Sequence, residues 1–177
     1  HYWLDQAEIK SSGFATEMKH QASDVAGGLP SSRTQNRCIN FISALDQLEQ
    51  KLPKNRLLVT DGGRFMTEVW SRISVPHPKN FVHSANFAAI GQGLQQAIGA
   101  AIAKPDAFVC LFVGDGGFML GAINEFNTAV RMKINLLVIV CNDSAYGAEY
   151  IQFKDRQMSP ALSEFDWPSF AEVARSL

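Results

Sequence analysis

The chain has 177 residues, the length of one ordinary domain, since domains typically contain ~100 to 200 residues. Hydrophobic residues make up 46% and charged residues 19%, with 16 Lys and Arg against 17 Asp and Glu, so the composition excludes a disordered chain and a basic surface for nucleic acid. No stretch approaches the ~20 uninterrupted apolar residues of a membrane helix, so no membrane-spanning segment is expected.

The N-terminal part is predicted to be separate from the main domain. Residues 2–22 have weak helical periodicity, and residues 23–35 contain the Gly-Gly-Leu-Pro run that is typical of a linker. We expect residues 1–35 to be a helix and linker from a preceding domain, and residues 36–177 to be the main domain. The chain begins without Met and ends inside an amphipathic pattern, so we also expect a longer parent polypeptide and a domain truncated at its C-terminus.

From residue 36 onward, helical patterns alternate with short apolar runs. Apolar residues at helical spacing predict helices over residues 36–52, 64–73, 94–103 and 119–132. Continuous apolar runs predict strands over residues 57–60, 80–83, 107–113 and 134–141. Strands that are apolar on both faces and separated by helices are typical of a parallel sheet covered on both sides. The predicted fold is α/β, with three layers and a doubly wound parallel sheet that has helices on both faces.

Glycine-rich and acidic residues follow three of the predicted strands. Residues 61–63 follow the first strand, residues 114–117 (Gly-Asp-Gly-Gly) the third and residues 142–145 (Asn-Asp-Ser-Ala) the fourth. In open α/β sheets, ligands bind beyond the carboxyl ends of the strands. One edge of the sheet is therefore predicted to carry the chemistry.

The Gly-Asp-Gly-Gly run joins a strand to a helix, which suits a phosphate site. Backbone amides at a helix start can approach an anion closely, although a simple tight turn is the alternative interpretation of this run. The loop after the next strand can face the same cation, because neighbouring strands lie ~4.8 Å apart. Magnesium prefers oxygen ligands, so Asp115, a side chain from Asn142 or Asp143, and one backbone carbonyl are the predicted protein ligands.

Gly-Asp-Gly followed, after a helix and a strand, by Asn-Asp is similar to the thiamine diphosphate motif. Over about residues 36–177 the chain resembles the thiamine-diphosphate-dependent enzymes of the acetolactate synthase, pyruvate decarboxylase and benzoylformate decarboxylase type. Residues 124–131 are similar to the family's QELATAVR helix, and residues 84–94 to its SGGLGTMGYGLPAAIGA segment. The resemblance implies a C-terminal, diphosphate-binding domain that holds thiamine diphosphate and Mg²⁺.

The chain departs from the motif around the second metal ligand. Asp143 stands where the family usually has a second Asn, and one extra residue lies between Phe118 and Glu125. Matching residues 142–147 to the family's NNGGYG gives Asp143 as the second ligand and the Ala145 carbonyl as the third. Keeping the spacing would give Asn142 instead. We expect Asp143, because the Tyr-Gly pair at residues 146–147 fixes the local register.

The resemblance also implies the residues that surround the cofactor. Ile90 takes the place of the bulky residue that holds the two cofactor rings in a V, with a core isoleucine as the alternative, and the backbone of Ala88 and Ile90 is expected to bond the aminopyrimidine. Arg64 is expected either to pair with phosphate oxygens or to face solvent at a helix start. The implied cofactor-binding residues are Gly62, Gly63, Arg64, Ala88, Ile90, Gly114, Asp115, Gly116, Gly117, Asp143, Tyr146 and Gly147.

Glu149 is the candidate catalytic residue. It matches the position where pyruvate decarboxylases carry a glutamate in the substrate pocket, and a desolvated carboxyl group there can act as a general acid. The alternative is a glutamate in the first turn of a helix that is favoured by the helix dipole and faces water.

The function that the resemblance implies is decarboxylation of a 2-oxo acid, or carboligation as in acetolactate synthase. In the family, a glutamate from a separate pyrimidine-binding domain activates the cofactor, and no segment here matches that domain; Glu125 is interpreted as a packing or capping residue. A complete site therefore needs another domain and a homodimer or homotetramer, and the chain alone is expected to be inactive. The alternatives are a non-catalytic thiamine-diphosphate-binding homologue and a nucleotide-binding α/β module.

Several other residues receive structural interpretations. Cys38, Cys110 and Cys141 are odd in number and two lie in apolar runs, so no disulfide or zinc framework is expected. With no signal-peptide pattern, these cysteines favour a cytoplasmic location. His83 is interpreted as a hydrogen-bonded structural histidine, and the stretch from Trp167 to Phe170 (Trp-Pro-Ser-Phe) as the start of a core helix.

Overall fold

The computed structural model describes residues 39–83 and 86–177. The predicted N-terminal helix and linker, the boundary at residue 36, Cys38, Ser84 and Ala85 lie outside the described residues and stay predictions. The chain divides after Lys51, so helix α1 (Phe41–Lys51) and the unit that begins at Leu52 are described separately. Helix α1 begins after Asn40, whose side-chain oxygen accepts a hydrogen bond from the Ser43 amide at 3.0 Å, as an N-cap residue does.

Strands and helices alternate along the unit from Leu52 onward. The strands are β1 (Leu57–Thr60), β2 (Phe81–His83), β3 (Val109–Gly114) and β4 (Leu136–Cys141). The helices are α2 (Met66–Arg72), α3 (Gly93–Ala103), α4 (Asp115–Gly117, Phe118–Ala122 and Ile123–Arg131 without a break), α5 (Gly147–Asp155) and α6 (Phe170–Ser176). Short 3-10 turns occupy Pro78–Asn80, Asn86–Ala88 and Ala161–Ser163.

The four strands form one parallel sheet in the order β2-β1-β3-β4. Val59 of β1 is paired with Val82 of β2 on one side and with Leu111 of β3 on the other. Phe112 of β3 is paired with Ile139 of β4. The predicted parallel α/β fold is confirmed, and β3 and β4, which precede the two motif loops, are direct neighbours.

Helices cover both faces of this sheet. On one face the buried side chains of β1 and β3 pack against α3 and α4, for example Leu111 with Leu94 and Ala129. Phe170 of α6 joins this core through an edge-on contact with Phe118, with 5.6 Å between ring centroids. On the other face Trp70 of α2 packs edge-on against Phe81 and His83, with centroid distances of 6.0 and 4.8 Å. The doubly wound arrangement follows from these two sets of contacts.

Strand β4 differs from the prediction of a fully buried strand. The side chains of β1 are all buried, whereas those of β4 are half-buried at every position. Within the described part of the chain, β4 is paired with β3 only, so it lies at an edge of the sheet. Its uniformly apolar sequence does not reveal this position, because an inner strand has the same pattern.

Helix α4 begins directly at the end of β3, earlier than residue 119 where the sequence pattern placed it. Asp115 is already in its first turn, and a π turn follows over Phe118–Ala122. A π turn accommodates one additional residue within a helix, so the extra residue that the resemblance implies before Glu125 can be contained in α4. Over the described residues, no helix is long and apolar enough to cross a membrane.

Candidate functional site

Three loops meet at the carboxyl edge of the sheet, after β1, β3 and β4. A Cβ placed on Gly114 would lie 3.3 Å from the Phe65 ring, and one on Gly147 would lie 3.2 Å from the side chain of Arg64. A Cβ on Gly116 would lie 2.6 Å from the ring of Tyr146. Side chains from the first and last loops therefore occupy the space that these glycines leave open, and the predicted site residues of all three loops come together.

Asp115 and Asp143 form an electrostatically coupled pair of carboxyl groups in this cluster. Asp115 is 2% exposed, and burial raises its pKa, while hydrogen bonds from the Gly116 backbone and from the Trp167 indole act in the opposite direction. Burial also raises the pKa of Asp143, and the negative charge of Asp115 raises it further. A cation bound between the two groups would relieve this repulsion.

The loop that carries Asp143 also places the Ala145 carbonyl near Gly116, the residue after Asp115. The Ser144 carbonyl accepts from the Phe165 amide, and the Tyr146 amide donates to the Ser163 carbonyl, both at 2.9 Å. Because successive residues of an extended segment face opposite sides, the amide and carbonyl of Ala145 point away from residues 163–165. The Ala145 amide donates to Asp143 Oδ1 at 3.3 Å, and its carbonyl oxygen lies 3.9 Å from a Cβ placed on Gly116.

Asn142 has a different position in this loop. Its side-chain oxygen accepts hydrogen bonds from the Ser144 amide at 3.0 Å and from the Ser144 hydroxyl at 3.3 Å. This is the local turn that asparagine side chains commonly form with the backbone two residues ahead. The Asn142 side chain shapes the loop, while the carboxylate coupled to Asp115 is that of Asp143.

The donor set fits Mg²⁺ held together with a phosphate ligand. Within residues 39–83 and 86–177, no three His, Cys, Asp or Glu side chains are clustered to hold a metal. Two carboxylates and one carbonyl are a partial set of hard oxygen donors. Magnesium commonly takes one or two protein carboxylates and completes its octahedron with phosphate oxygens and water.

Ile90 lies beside these loops with 46% of its surface exposed. Its side chain is 3.5 Å from a Cβ placed on Gly62 and 3.2 Å from one placed on Gly117. It is therefore not a core isoleucine, and it presents an apolar surface next to the glycine-rich loops. Just before it, Phe87 and Ala88 have left-handed backbone conformations with φ of 59° and 50°, and the Phe87 side chain is fully exposed.

Asp61 is a buried residue of the site that the sequence did not single out. Its carboxylate accepts hydrogen bonds from the amides of Gly62 and Gly91, both at 2.9 Å, and it is fully buried. Gly91 has φ of +89°, which favours glycine, and Asp61 thereby fixes the segment between Ile90 and helix α3. An acidic residue directly after a strand was the only available signal, and its partner Gly91 is 30 residues away.

Arg64 and Glu149 occupy the outer part of the site. The Arg64 guanidinium is 3.9 Å from Asp143 Oδ2, and its side chain is 56% exposed, so it faces both solvent and the loop that carries Asp143. Glu149 is exposed in the first turn of α5. This position is compatible with both interpretations of Glu149, the general acid and the helix-start glutamate.

Residues 167–170 lead into a core helix as predicted, and Trp167 itself lies just before it, because α6 begins at Phe170 with Ser169 as its N-cap. Pro168 disfavours a helical backbone at the residue before it. The Trp167 indole instead donates a hydrogen bond to Asp115 Oδ2 at 2.8 Å, across 52 residues of sequence. No local sequence pattern predicted this contact.

The remaining candidates have structural environments. The His83 ring nitrogen Nδ1 lies 3.1 Å from both the hydroxyl and the carbonyl oxygen of Thr60, as expected for a hydrogen-bonded structural histidine. Cys110 and Cys141 are free thiols. Burial raises the pKa of Cys110 to about 12 and also raises that of Cys141, so neither is a thiolate at neutral pH.

Comparisons with known proteins point to one family. The family profile described as "Thiamine pyrophosphate enzyme, C-terminal TPP binding domain" matches residues 61–177, which include all three loops. Mouse 2-hydroxyacyl-CoA lyase 2 is 35% identical over 108 residues, covering 61% of this chain and 17% of that protein. The large subunit of Escherichia coli K12 acetolactate synthase isozyme 2 is 29% identical over 136 residues, covering 73% of this chain and 24% of that protein.

A solved structure shows the likeness of the fold. The thiamine diphosphate-dependent 4-hydroxybenzoylformate decarboxylase of Rhodococcus jostii RHA1 superposes with a TM-score of 0.71 at 22% sequence identity. The match covers 87% of this chain and 30% of that one. The chain thus spans less than a third of the length of each of these three proteins.

Proposed function

The chain belongs to the thiamine pyrophosphate enzymes, as their C-terminal TPP-binding domain, and we propose that it is the Mg²⁺- and thiamine-diphosphate-binding half of a 2-oxo-acid decarboxylase or carboligase such as acetolactate synthase. The observation that carries the proposal is the coupled pair of Asp115 and Asp143 carboxyl groups, with the Ala145 carbonyl beside them, at the start of a glycine-rich helix.

The metal and the diphosphate would be held at this pair. Asp115, Asp143 and the Ala145 carbonyl supply three oxygen ligands to Mg²⁺ in this proposal, and phosphate oxygens and water complete its shell. The backbone amides of residues 114–117 lie at the N-terminus of α4, where an anion is favoured. Arg64, which is close to Asp143, supplies a positive charge for the terminal phosphate.

The rest of the cofactor would lie against the β1 loop and the segment before α3. Gly62 and Gly63 add no side chain of their own to this surface, and the exposed Ile90 side chain next to Gly62 would provide the apolar support that bends the cofactor. The backbone of Ala88 and Ile90 is proposed to bond the aminopyrimidine. Asp61 contributes by fixing Gly91, and so the position of Ile90.

Thiamine diphosphate, when bound, would supply the carbon that adds to the substrate carbonyl and the ring that holds the electron pair left behind when CO₂ departs. Glu149 is proposed to hold a proton on its carboxyl group and to donate it to the reacting substrate once the pocket is closed to water. Its place in the first turn of α5, directly after the metal loop, supports this role.

A complete catalytic site is proposed to need more than this domain. The named relatives are several times longer than the chain, which supports a parent protein that supplies a pyrimidine-binding domain with its activating glutamate. We propose that the parent protein is a cytoplasmic homodimer or homotetramer acting on a small 2-oxo acid, and that this chain by itself is inactive.

Calorimetric titration of the full-length protein tests the proposal. Thiamine diphosphate should bind in the presence of Mg²⁺ and fail to bind when a chelator removes it, whereas ATP and NAD with Mg²⁺ should not bind. Binding of ATP or NAD instead would point to a nucleotide-binding module. Binding of thiamine diphosphate without turnover of any 2-oxo acid in a panel that includes pyruvate would point to a non-catalytic homologue.

A further inference from the structure

Residues 163–167, here called the strap, run antiparallel to the loop that carries Asp143. Ala145 and Glu164 form an isolated antiparallel bridge, with hydrogen bonds of 2.9 Å from Tyr146 to Ser163 and from Phe165 to Ser144. The strap therefore holds the backbone on both sides of Ala145, whose carbonyl is a proposed metal ligand. It leaves the Ala145 amide and carbonyl on the opposite side, where the amide donates to Asp143 Oδ1.

Aromatic rings connect the strap to both motif loops. Phe165 contacts Tyr146 edge-on and is stacked on Trp167, with 4.6 Å between ring centroids in each case. The Tyr146 ring in turn covers Gly116 of the first motif loop. Such ring pairs contribute roughly 0.5 to 1.5 kcal/mol each beyond their buried area, so they give the strap a defined position relative to both loops.

The strap ends at Trp167, whose indole donates to Asp115 Oδ2 at 2.8 Å. The indole N–H can only donate, so it holds Oδ2 of Asp115 in place as the hydrogen-bond acceptor. Asp115 is almost completely buried, so this hydrogen bond also restricts the rotation of its carboxyl group. A single short segment thus supports the Asp115 side chain and the Ala145 backbone together.

We propose that Trp167 is a positioning residue for the metal site, which orients the Asp115 carboxylate for Mg²⁺ through its indole N–H. The inference rests on the proposed function, because it assigns Asp115 to Mg²⁺. Hydrogen-bond partners behind metal ligands typically change metal affinity by roughly 10- to 100-fold when they are removed. Trp167 is expected to have an effect of this size without touching the metal.

The test compares two tryptophan variants in the full-length protein. Trp167→Phe keeps an aromatic ring for the stack on Phe165 and removes the donor to Asp115. Trp70→Phe is the matched control, since the Trp70 indole donates to Thr60 at 3.1 Å on the face of the sheet covered by α2. Calorimetry should show Mg²⁺-dependent thiamine diphosphate affinity roughly 10- to 100-fold weaker in Trp167→Phe and unchanged in Trp70→Phe.

Two further measurements separate positioning from a general structural role. Adding Mg²⁺ and thiamine diphosphate should change the fluorescence of Trp167, because its indole contacts a proposed metal ligand. This part of the signal should be absent in Trp167→Phe and retained in Trp70→Phe. Trp167→His keeps a ring N–H, so it should bind thiamine diphosphate with Mg²⁺ more tightly than Trp167→Phe does. If Trp167→Phe does not fold, Trp167→His is compared with the wild type instead.

Wild-type affinity in a folded Trp167→Phe variant would overturn the inference and leave the proposed function intact. Equal losses in Trp167→Phe and Trp70→Phe, or a histidine variant no better than the phenylalanine variant, would also overturn it. Tighter Mg²⁺ binding in Trp167→Phe would show that the indole competes with the metal and would overturn it as well. A wild-type protein that binds no thiamine diphosphate would instead contradict the proposed function.

Discussion

Asp115 and Asp143 bring two carboxyl groups together in a partly buried site. This arrangement lowers the stability of the folded protein when no cation is bound. Burial and mutual repulsion raise the pKa of Asp143, while the Ala145 amide and the nearby Arg64 charge partly oppose this rise. For Asp115 the opposing groups are mainly hydrogen-bond donors, including the Trp167 indole. Unfavourable pairs of this kind are typical of functional sites, because a bound cation removes the repulsion.

Asp115→Ala is expected to abolish Mg²⁺-dependent binding of thiamine diphosphate, because it removes a metal ligand. The ligand-free variant should remain folded, since a buried carboxyl group is replaced by a methyl group. Calorimetry of the full-length protein measures the affinity, and thermal unfolding checks the fold. Asp106→Ala is a suitable control, because Asp106 is exposed and precedes β3 at the opposite edge of the sheet. Unchanged affinity in Asp115→Ala would refute the metal assignment.

Glu149→Gln is expected to lower the turnover of a 2-oxo acid by ~100-fold or more and to leave cofactor affinity nearly unchanged, if the group is a general acid. Glutamine keeps the size of the side chain and lacks the acidic proton. Asp155→Asn, at the other end of α5, provides a matched control that should leave turnover unchanged. Wild-type turnover in Glu149→Gln would show that Glu149 is a water-facing residue at the start of the helix.

Helices α3 and α4 meet at the site through glycine residues. A Cβ on Gly117 of α4 would lie 2.6 Å from the carboxylate of Asp61, and one on Gly93 of α3 would lie 2.7 Å from the Asp61 Cβ. Asp61 bonds the backbone amide of Gly91 just before α3, so the small size of these glycines lets one buried carboxylate lie between both helix starts. The segment that carries Ile90 depends on this close packing.

Gly117→Ala is expected to destabilise the protein by about 1 to 3 kcal/mol and to weaken thiamine diphosphate binding, because the added methyl group displaces Asp61 and Ile90. Gly99→Ala is the matched control: Gly99 is exposed within α3, and its added Cβ would have no neighbour within 4 Å. Alanine is favoured over glycine inside a helix, so Gly99→Ala should raise stability by about 0.5 to 1 kcal/mol. Chemical denaturation measures both changes, and equal effects in the two variants would contradict this packing argument.

At the scale of the whole molecule, the acidic groups link folding, pH and metal binding. Burial raises the pKa of Asp115 and Asp143 above the ordinary value of 3.8. Folding without metal therefore favours their protonated forms, so their contribution to stability is fully present below pH 3.8 and is lost as the pH rises through the raised values. Asp61 acts in the same direction, because burial raises its pKa too.

Mg²⁺ with thiamine diphosphate should reverse this dependence, since a cation binds the ionised carboxylates. The rise in unfolding temperature that Mg²⁺ and thiamine diphosphate produce should be larger at about pH 7 than at about pH 5, where protons compete with the metal. Thermal unfolding of the full-length protein, with and without the ligands at each pH, measures this rise in unfolding temperature. In Asp115→Ala the ligands should cause little rise at either pH. An equal rise at both pH values in the wild type would contradict the assignment of the carboxylates to the metal.

Sequence patterns were sufficient to predict the alternation of helices and parallel strands, the loops that meet at one edge of the sheet, and the family. These features depend on local patterns: apolar runs, helical spacing, and glycine and aspartate directly after a strand. The choice of Asp143 over Asn142 as the second metal ligand stays a prediction, which rests on the Tyr-Gly pair at residues 146–147.

The groups that are distant in sequence and complete the site could be identified only from the folded chain. The bonds from Trp167 to Asp115 and from Gly91 to Asp61 join residues 52 and 30 positions apart. The edge position of β4 likewise depends on the order of the strands. A donor and an acceptor that only the folded sheet brings together leave no periodic pattern in a sequence. Residues 167–170 therefore predicted the start of a core helix, and the bond from Trp167 to Asp115 was not predicted.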